Sequence, residues 1–546
     1  MDMRRLFLFL IFSFSLILLW GEWTRQNQPP VPAVAAVSKD PAAPPVASAV
    51  ATPRQVATTA PAEAQAAPAG KKIYVTTDTF AVEINMAGGN IERLDLLQHR
   101  NANDQSKPIS LLQRVGNQVY LAQSGLLGQG LPTHNAAFSA AAEEYKLIEG
   151  KDTVEVRLTA IGSENAQVTK VYTFHRASYL VDVAYEIENK GSSALTPSAY
   201  FQLVRDATPP EGASAFVPTY TGAAVYTDQE KFLKVDFADI EKNKVTLPKN
   251  PDNGWVGMLQ HYFVSAWLPQ GKDTREFYAK HLDGNLYSIG VILPMDSIES
   301  GKSARISAPL YVGPAKTKLD DIAPGLGLTV DYGIFTIFAA PLFWLMSFLN
   351  DWVHNWGVAI VLLTVLIKLA FFPLSATSYR SMAKMRVVAP KLEKIKQQYG
   401  DDRERLNRAM MDLYKTEKIN PLGGCLPVLI QIPVFIGLYW AILESVELRH
   451  APFIGWIHDL SATDPYYILP VIMGISMLIQ SKLNPVPADP LQAKIMQIMP
   501  IAFSVVFFFF PAGLVLYSIV NNILSITQQW YITRGEETAR KGDAKA

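Results

Sequence analysis

The sequence predicts a polytopic α-helical membrane protein that carries a large all-β domain on the far side of the membrane. Three observations lead to this fold class. Uncharged apolar runs occur near the N-terminus and again after Tyr332, short β-patterned runs fill 71–315, and Lys and Arg gather in a few segments between the apolar runs. Together they predict six spans, with both chain ends in the cytoplasm and the β domain outside.

The composition excludes several classes of function. The 546 residues carry a formal net charge of +0, so no overall basic character points to nucleic-acid binding. Cys425 is the single cysteine, which rules out an intrachain disulfide and the paired thiols of a zinc or redox site. The eight histidines lack an H-E-x-x-H spacing, and the sequence before Lys302 lacks the first glycine of a P-loop because Asp296 stands there. The sequence therefore predicts no metal and no other cofactor.

The N-terminal segment 1–23 is predicted to be an uncleaved membrane anchor. Arg4 and Arg5 precede a charge-free run that ends at Trp20, and this order favours an N-terminus in the cytoplasm. A cleaved signal peptide is the alternative, but the nearest small-x-small sequence, 33–35, lies too far beyond the apolar core. The next segment, 24–70, is rich in Pro and Ala and cannot bury enough apolar surface to fold, so it is predicted to be a disordered linker.

Residues 71–315 have the pattern of a large β-sandwich. Runs with period-two alternation are separated by turn residues, and the clearest are 80–84, 153–158, 168–174, 179–187 and 286–293. Aromatic residues of this domain either form its core or line a groove, as in an anchored sugar-binding or epimerase-like enzyme. These aromatic residues are Tyr200, Phe201, Trp255, Tyr262, Phe263 and Trp267. Because 71–315 shows no constellation of carboxylates or histidines, the sequence favours the core.

Residues 316–355 are predicted to form a linker and an amphipathic helix in the outer membrane interface. The apolar run near 334–349 is followed only a few residues later by the next run. Counting both as spans would place the Lys/Arg-rich segment 376–420 outside, against the positive-inside rule. Pro341 in the middle of the first run also favours an interfacial helix.

The remaining apolar runs are predicted to be five spans. They are 356–374, 421–443, 466–480, 495–510 and 512–532. The segments that join or follow them are a cytoplasmic helical hairpin at 375–420, an outer loop at 444–465, a cytoplasmic loop at 481–494 and a cytoplasmic tail at 533–546. The outer loop contains Arg449 alone among Lys and Arg residues, so the charge distribution agrees with this topology.

The cytoplasmic segment has the apolar periodicity of two paired helices. Apolar residues recur every three or four positions before Gly400, and a matching stripe follows Asp402, which can cap the second helix. Pro390 is expected to kink or interrupt the first helix. The basic face of this hairpin either contacts anionic lipid or ribosomal RNA, or it is a solvated face that only enforces the topology.

Lys368 is the one charged residue in the five predicted spans that follow the β domain. An ammonium at mid-span costs about 2.5–3.5 kcal/mol on insertion scales unless it finds water or a partner. No Asp or Glu occurs in any predicted span, so a salt bridge inside the membrane is not expected. Snorkelling is the alternative, but at about 1.5 Å per residue Lys368 lies roughly 10 Å below the cytoplasmic edge, at the limit of a lysine stem.

Polar residues on three predicted spans accompany this lysine. Thr364 and Ser375 share its helix face, Gln431 is the only amide of its span, and the last span has a polar row on one face. That row is Tyr517, Asn521 and Gln528. Each row alone is also explained by hydrogen bonds between helices. Jointly they predict a hydrophilic groove, open to the cytoplasm and to lipid, that holds a polar segment of another chain; a transporter or channel is the alternative.

Six stretches are long and specific enough to compare with known families. They are 329–333 (TVDYG), 381–385 (SMAKM), 420–425 (NPLGGC), 456–460 (WIHDL), 464–467 (DPYY) and 513–517 (GLVLY). Through them the chain resembles, over nearly its whole length, the YidC/Oxa/Alb membrane protein insertases, and specifically the Gram-negative bacterial YidC type. The resemblance implies an insertase and folding chaperone for inner-membrane proteins, not an enzyme, with a periplasmic β-supersandwich, a five-helix core and no cofactor.

The resemblance also implies roles for single residues and a set of partners. Lys368 stands where the family usually has an arginine, so the charge is kept without the planar guanidinium. Tyr517 matches a tyrosine that faces the substrate, Ser518 stands where close relatives often have a second one, and Ile432 and Pro433 match a substrate-contacting face. The implied partners are nascent transmembrane segments, the Sec translocon with its accessory subunits, the ribosome through the hairpin and tail, and the lipid bilayer, but no specific nucleic-acid sequence.

Overall fold

A computed structural model of the chain describes residues 70–101, 104–116, 118–161, 165–210, 219–399, 402–417, 426–484 and 490–543. The predicted anchor 1–23 lies outside the described residues, and so does the predicted linker 24–70 apart from Gly70. The fold class is confirmed: a large all-β domain comes first, and a helical region follows it.

Alternating side chains build the β domain, because every second residue of a strand points to the same face of its sheet. In β2, for example, Phe80, Val82 and Ile84 are buried, while the residues between them are half-buried. Each of the five predicted β runs corresponds to a strand. The strands are β1 Lys72–Thr76, β2 Phe80–Asn85, β3 Asn90–Arg100, β4 Pro108–Val115, β5 Gln118–Leu127, β6 Phe138–Ala140, β7 Glu144–Lys146, β8 Thr153–Ala160, β9 Ala166–His175, β10 Leu180–Asn189, β11 Ser198–Asp206, β12 Thr221–Thr227, β13 Lys231–Val235, β14 Trp255–Gln260, β15 Phe263–Trp267, β16 Glu276–Leu282, β17 Leu286–Pro294, β18 Ser303–Ser307 and β19 Leu310–Pro314.

Two sheets divide these strands. In the described residues one sheet has nine strands in the order β16-β17-β11-β5-β4-β3-β2-β1-β7, and the other has ten, with β13-β12-β14-β15-β19-β10-β9-β8-β6 as its main path and β18 beside β10. Nearly all neighbours are antiparallel, and β1 with β7 is a parallel pair. The inner faces share one hydrophobic core that includes Phe80, Phe201 and Trp267. Of the six aromatic residues considered for a groove, all except half-buried Tyr262 are buried, as expected of a core.

The helical region begins after three short 3-10 turns between Thr317 and Phe335. A five-residue helix, α1 Phe237–Glu241, belongs to the β domain. The later helices are α2 Thr336–Val353, α3 Trp356–Ala370, α4 Phe372–Tyr399, α5 Arg403–Thr416, α6 Leu426–Glu444, α7 Ile468–Leu483, α8 Pro490–Phe507 and α9 Ala512–Asp543. Helix α9 packs against α3, α4, α6 and α7, so it is the centre of this region.

The helix ends differ from several predicted boundaries. The predicted tail 533–546 is not separate, because α9 continues to Asp543. Helices α7 and α8 both extend into the predicted loop 481–494, of which 485–489 lie outside the described residues. Polar and charged residues at a helix end lower its hydropathy without breaking the helix, so apolar runs are shorter than the helices that contain them.

By length and composition, α2 is the one helix of the described residues that can cross a membrane by itself, and α3 with α4 forms a bent pair that passes the same test together. On the exposed face of α2 the rings of Trp344 and Phe348 stack, and Trp352 lies at an angle next to Phe348. Phe343 and Met346 are buried on the other face. The interfacial position of α2 and the number of six spans therefore stay predictions.

The predicted helical hairpin forms as its periodicity indicates. Val388 and Leu392 of α4 pack against Met410, Leu413 and Tyr414 of α5. The predicted cap is confirmed, because the Asp402 carboxylate accepts hydrogen bonds from the backbone N–H groups at positions 404 and 405. The helix is not interrupted at Pro390, which lies inside α4.

The segment between α6 and α7 joins the helical region to the β domain. The Nε2–H of His261, in the turn between β14 and β15, donates a hydrogen bond to the carbonyl of Leu443 at 3.0 Å. The Arg449 guanidinium lies over the rings of Tyr262 at 6.0 Å and Phe263 at 5.9 Å. These contacts hold the outer end of α6 against the edge of the sandwich.

Candidate functional site

Lys368 lies in α3, whose first turn is fixed by the segment between α6 and α7. Asn355 caps the helix by accepting a hydrogen bond from the Val358 N–H at 3.0 Å, and its side-chain amide donates to the Phe453 carbonyl at 3.1 Å. A Cβ atom on Gly357 would lie 2.1 Å from the Phe453 ring, so only glycine permits this close approach. The helix that carries Lys368 is therefore anchored at its first turn.

The Lys368 ammonium is buried, and one described residue accepts a hydrogen bond from it. The residue is 3% exposed, and its Nζ donates to Ser525 Oγ at 2.7 Å. Ser525 Oγ in turn donates to the carbonyl of Asn521 at 2.7 Å. No acidic residue of the described part forms a salt bridge with Lys368. Since an ammonium has three donors, two of them stay available for another acceptor.

A break in the helix directly after Lys368 differs from the predicted span 356–374. Helix α3 ends at Ala370, and α4 begins at Phe372 with a bend of 67° between the two helices. Pro373 explains the break, because it has no N–H to bond to the carbonyl of Leu369 and its ring crowds that carbonyl, so one helix cannot run through this point. Lys368 thus lies in the last turn of α3, where the negative end of the helix dipole favours a cation.

Polar groups from three helices meet next to this ammonium. The Asn521 side-chain amide in α9 donates to Gln431 Oε1 in α6 at 3.5 Å. Lys368, Ser525, Asn521 and Gln431 therefore form a continuous series of contacts from α3 through α9 to α6, which we call the polar line. Three of its four members are residues that the sequence predicted.

The other polar residues of the predicted site on α3 and α9 are turned toward their own helices. Thr364 is fully buried, and its hydroxyl donates to the Ile360 carbonyl at 2.7 Å. The Ser518 hydroxyl likewise donates to the Leu514 carbonyl at 2.9 Å. Such bonds satisfy a hydroxyl inside an apolar helix without a partner from another helix.

The remaining predicted residues differ in their exposure. Tyr517 is 2% exposed and packs in the helical core, with its ring 6.4 Å from that of Phe435. Ile432 is 45% exposed and Pro433 is half-buried. Gln528 Oε1 is buried and has no hydrogen-bond partner among the described residues. The arrangement provides hydrogen-bond donors and acceptors inside an apolar helix assembly.

Two family models cover almost all of the described chain. A model described as the YidC periplasmic domain matches residues 72–345, and one described as the 60Kd inner membrane protein matches residues 348–540. The first match ends inside α2, and the second contains the whole polar line. The chain belongs to the YidC family.

Relatives named "Membrane protein insertase YidC" support this assignment over full length. The protein from Nitrosospira multiformis is 53% identical over 100% of this chain and 99% of its own, and that from Methylobacillus flagellatus is 52% identical over 100% of both. A solved structure titled as an active YidC insertase aligns with 84% of this chain and 92% of its own, at 19% identity and a TM-score of 0.40. The YidC resemblance predicted from the six sequence stretches is confirmed, and the chain is an inner-membrane protein with a periplasmic domain.

Three residues of α9 in this YidC-family site escaped the sequence prediction: Ser525, Asn522 and Gln529. Ser525 is one helical turn from Asn521, on the predicted row, so this spacing was the signal for it. Asn522 donates to Ser476 Oγ in α7 at 3.1 Å, and Gln529 donates to the Leu483 carbonyl at 3.0 Å. These bonds belong to a second polar row on α9, which explains how one helix can serve two neighbours.

Proposed function

We propose that this chain inserts membrane proteins by presenting the polar line to a hydrophilic segment of a client while the client's apolar helix passes into lipid. The Lys368 ammonium carries the proposal, because it has one described acceptor, Ser525, and two remaining donors. The relatives' name, membrane protein insertase, supports the same function.

The polar line lowers the cost of moving a hydrophilic segment into the membrane. A polar group of the client that enters hydrocarbon without a hydrogen-bond partner costs several kcal/mol. The side-chain amides of Asn521 and Gln431 offer such a group hydrogen bonds in place of those it made to water. The Lys368 charge attracts acidic residues of the client's translocated tail and strengthens hydrogen bonds to them. No covalent step is needed, which agrees with relatives that are insertases rather than enzymes.

The orientation and the finer partners belong to the same proposal. Both chain ends lie in the cytoplasm, and the insertase acts alone as well as beside the Sec translocon and its accessory subunits. Pairing of α4 with α5 through their apolar stripes leaves Lys391 and Lys394 exposed. These cations support contact of the hairpin with anionic lipid or with ribosomal RNA.

Depletion of the protein in its host tests the proposed function. We expect that small inner-membrane proteins then fail to expose their translocated segments to added protease on the periplasmic side. Re-expression of the wild-type chain should restore that exposure. Unchanged protease accessibility after depletion would contradict the proposal.

Substitutions at Lys368 test the role of its charge. Lys368→Glu should reduce insertion of clients with acidic translocated tails by about tenfold, since attraction becomes repulsion, whereas Lys368→Arg keeps the charge and should keep most activity. Lys482→Glu is the matched control, because Lys482 also lies in the last turn of its helix but is exposed. Equal insertion by the Arg and Glu variants of Lys368 would remove the ammonium from the mechanism.

A further inference from the structure

A cavity of about 320 Å³ lies between the β domain and the outer end of α6. Its size falls at the lower end of the roughly 300–1,000 Å³ found for small-molecule sites. Its walls come from three parts of the chain: the edge of the sandwich, the segment before α2, and the last turn of α6. The lining residues include Tyr220, Lys234, His261, Asp331, Trp440 and Glu444.

Glu444 is the unusual member of this cavity wall. It is 7% exposed, and none of the described residues donates a hydrogen bond to its carboxylate. It is also the last residue of α6, where the negative end of the helix dipole disfavours an anion. A carboxylate buried without a partner is strongly disfavoured, so the charged form of Glu444 requires a positive group beside it.

His261 does not supply that positive group. Its Nε2 lies 3.9 Å from Glu444 Oε2, but the N–H on this atom donates to the Leu443 carbonyl at 3.0 Å. Burial, with a smaller contribution from the Arg449 charge, lowers the pKa of His261 to about 4, so the imidazole is neutral at neutral pH. A neutral imidazole therefore forms no ion pair with the Glu444 carboxyl.

Lys234 does not supply it either. Its ammonium pairs with the Asp331 carboxylate and lies 4.7 Å above the centre of the Tyr220 ring. This ion pair forms the more exposed rim of the cavity, with side chains 35% and 33% exposed. The segment 211–218 that precedes the cavity residue Thr219 contains no Lys, Arg or His in the sequence. Burial, together with the nearby Asp331 charge and opposed in part by Lys234, raises the pKa of the Glu444 carboxyl to about 8, so the buried end of the cavity holds one carboxyl without a paired cation.

We propose that this cavity binds a primary ammonium group, with the Glu444 carboxylate as its counter-charge. Carboxylate oxygens at the buried end and the aromatic ring of Trp440 on the wall suit a small alkylammonium. The site lies at the outer end of a predicted span, so the group comes from an ethanolamine phospholipid headgroup or from a free amine. This site does not depend on the proposed insertion function.

Binding is tested on the full chain in nanodiscs of phosphatidylglycerol, a lipid without nitrogen. Ethanolamine is titrated by calorimetry, with ethylene glycol as its neutral analogue and potassium chloride as an inorganic cation. We expect saturable binding of ethanolamine alone. If potassium binds as well as ethanolamine does, or if no saturable binding occurs in these discs and phosphatidylethanolamine has no effect either, the ammonium site is wrong.

Variants and a second lipid composition complete the test. Glu444→Gln, which keeps the shape and removes the charge, should weaken ethanolamine binding about tenfold or more. Glu447→Gln is the matched control, since Glu447 follows three residues later and does not line the cavity. Equal binding by the Glu444→Gln variant would overturn the proposal.

The lipid source is resolved in discs that also contain phosphatidylethanolamine. If the headgroup occupies the cavity, the unfolding temperature rises for wild type and Glu447→Gln but not for Glu444→Gln, and added ethanolamine binds more weakly. If the unfolding temperature stays the same and ethanolamine binds as before, the ligand is a free amine. Both of these results support an ammonium site.

Discussion

Two lysines of this chain are buried without an acidic partner among the described residues, and their surroundings differ. Lys170, in β9, is 0% exposed, and its Nζ donates to the carbonyls of Gly89 at 2.8 Å and Ser124 at 3.4 Å. Its ammonium also lies 5.3 Å and 5.5 Å from the ring centres of Tyr172 and Tyr185. Lys368 is 3% exposed and has Ser525 Oγ as its described acceptor.

The difference lies in unused hydrogen-bonding capacity rather than in burial. Backbone carbonyls and aromatic faces use all three donors of Lys170, and these groups belong to a closed sandwich core. Lys368 uses one donor, and the acceptor is a side chain of a neighbouring helix. A buried ammonium therefore indicates a binding function when it has more N–H donors than the folded protein supplies acceptors. When every donor has an acceptor, as in Lys170, the ammonium holds strands together.

The largest expected effect that tests this contrast comes from Lys170→Ala. Loss of the side chain leaves a cavity and removes two hydrogen bonds, so the free energy of unfolding of the β domain should fall by about 2–5 kcal/mol. The measurement is chemical unfolding of the full chain, followed by near-UV circular dichroism. Lys146→Ala, at an exposed position, should change that free energy by less than about 0.5 kcal/mol. Equal effects of the two substitutions would mean that Lys170 does not stabilise the β domain.

The next effect concerns the single acceptor of Lys368. Ser525→Ala removes a hydrogen bond to a charged group, which is worth about 1.5–3 kcal/mol, so the helical region should unfold more easily. The β domain, with its own core, should keep its stability. Ser504→Ala is the control, because the Ser504 hydroxyl donates within its own helix to the Pro500 carbonyl. A Ser525→Ala chain as stable as wild type would show that Lys368 finds another acceptor.

The stability of the β domain should also depend on pH, because Lys170 is buried. Burial lowers the pKa of Lys170 well below its ordinary value in the folded state. Between the lowered pKa and the unfolded value of about 10.4, the unfolded chain binds more protons, so stability rises with pH by at most about 1.4 kcal/mol per pH unit. Unfolding of the β domain at about pH 8 and about pH 9.5 should show this rise in wild type and a smaller one in Lys170→Met. Identical slopes would contradict a lowered pKa at Lys170.

The smallest expected effect tests the carbonyl that Lys170 shares. Tyr172 Oη donates to the Gly89 carbonyl, which also accepts from Lys170. Tyr172→Phe removes one of these two donors and should cost only about 0.5–1.5 kcal/mol, because Lys170 still satisfies the carbonyl. Denaturant midpoints of the single variants and of the double variant with Lys170→Met measure the coupling. A double variant whose loss equals the sum of the two single losses would show that the donors act independently.

Local patterns made most of the fold predictable. Alternation identified strands such as Val168 to Phe174, which lies inside β9, and the helical stripe around Leu392 predicted the α4–α5 pair. The cap at Asp402 followed from residue type and position alone. Each of these features depends on residues that are close in sequence, so a single sequence is enough to predict them.

Features that depend on distant contacts were not predictable in this way. Lys170 occupies an interior position of a strand, where its neighbours give no sign that Gly89 and Ser124 approach it. In the site, Lys368 and Asn521 were found because polar residues stand out in apolar runs, whereas Ser525 is small and common in helices. The docking of His261 on Leu443 and the cavity at Glu444 arise from two regions far apart in sequence.

The bend after Ala370 makes α4 a long arm that projects from the last turn of α3. This helix has 28 residues, which at about 1.5 Å per residue gives an arm of roughly 42 Å. A swing of about 10° at the bend moves its far end by about 7 Å. Arg386, about halfway along the arm, donates hydrogen bonds to the carbonyls of Lys482 and Leu483 and so ties α4 to the end of α7. A displacement of the hairpin tip would therefore have to break these hydrogen bonds before it could change the bend next to the last turn of α3, which holds Lys368.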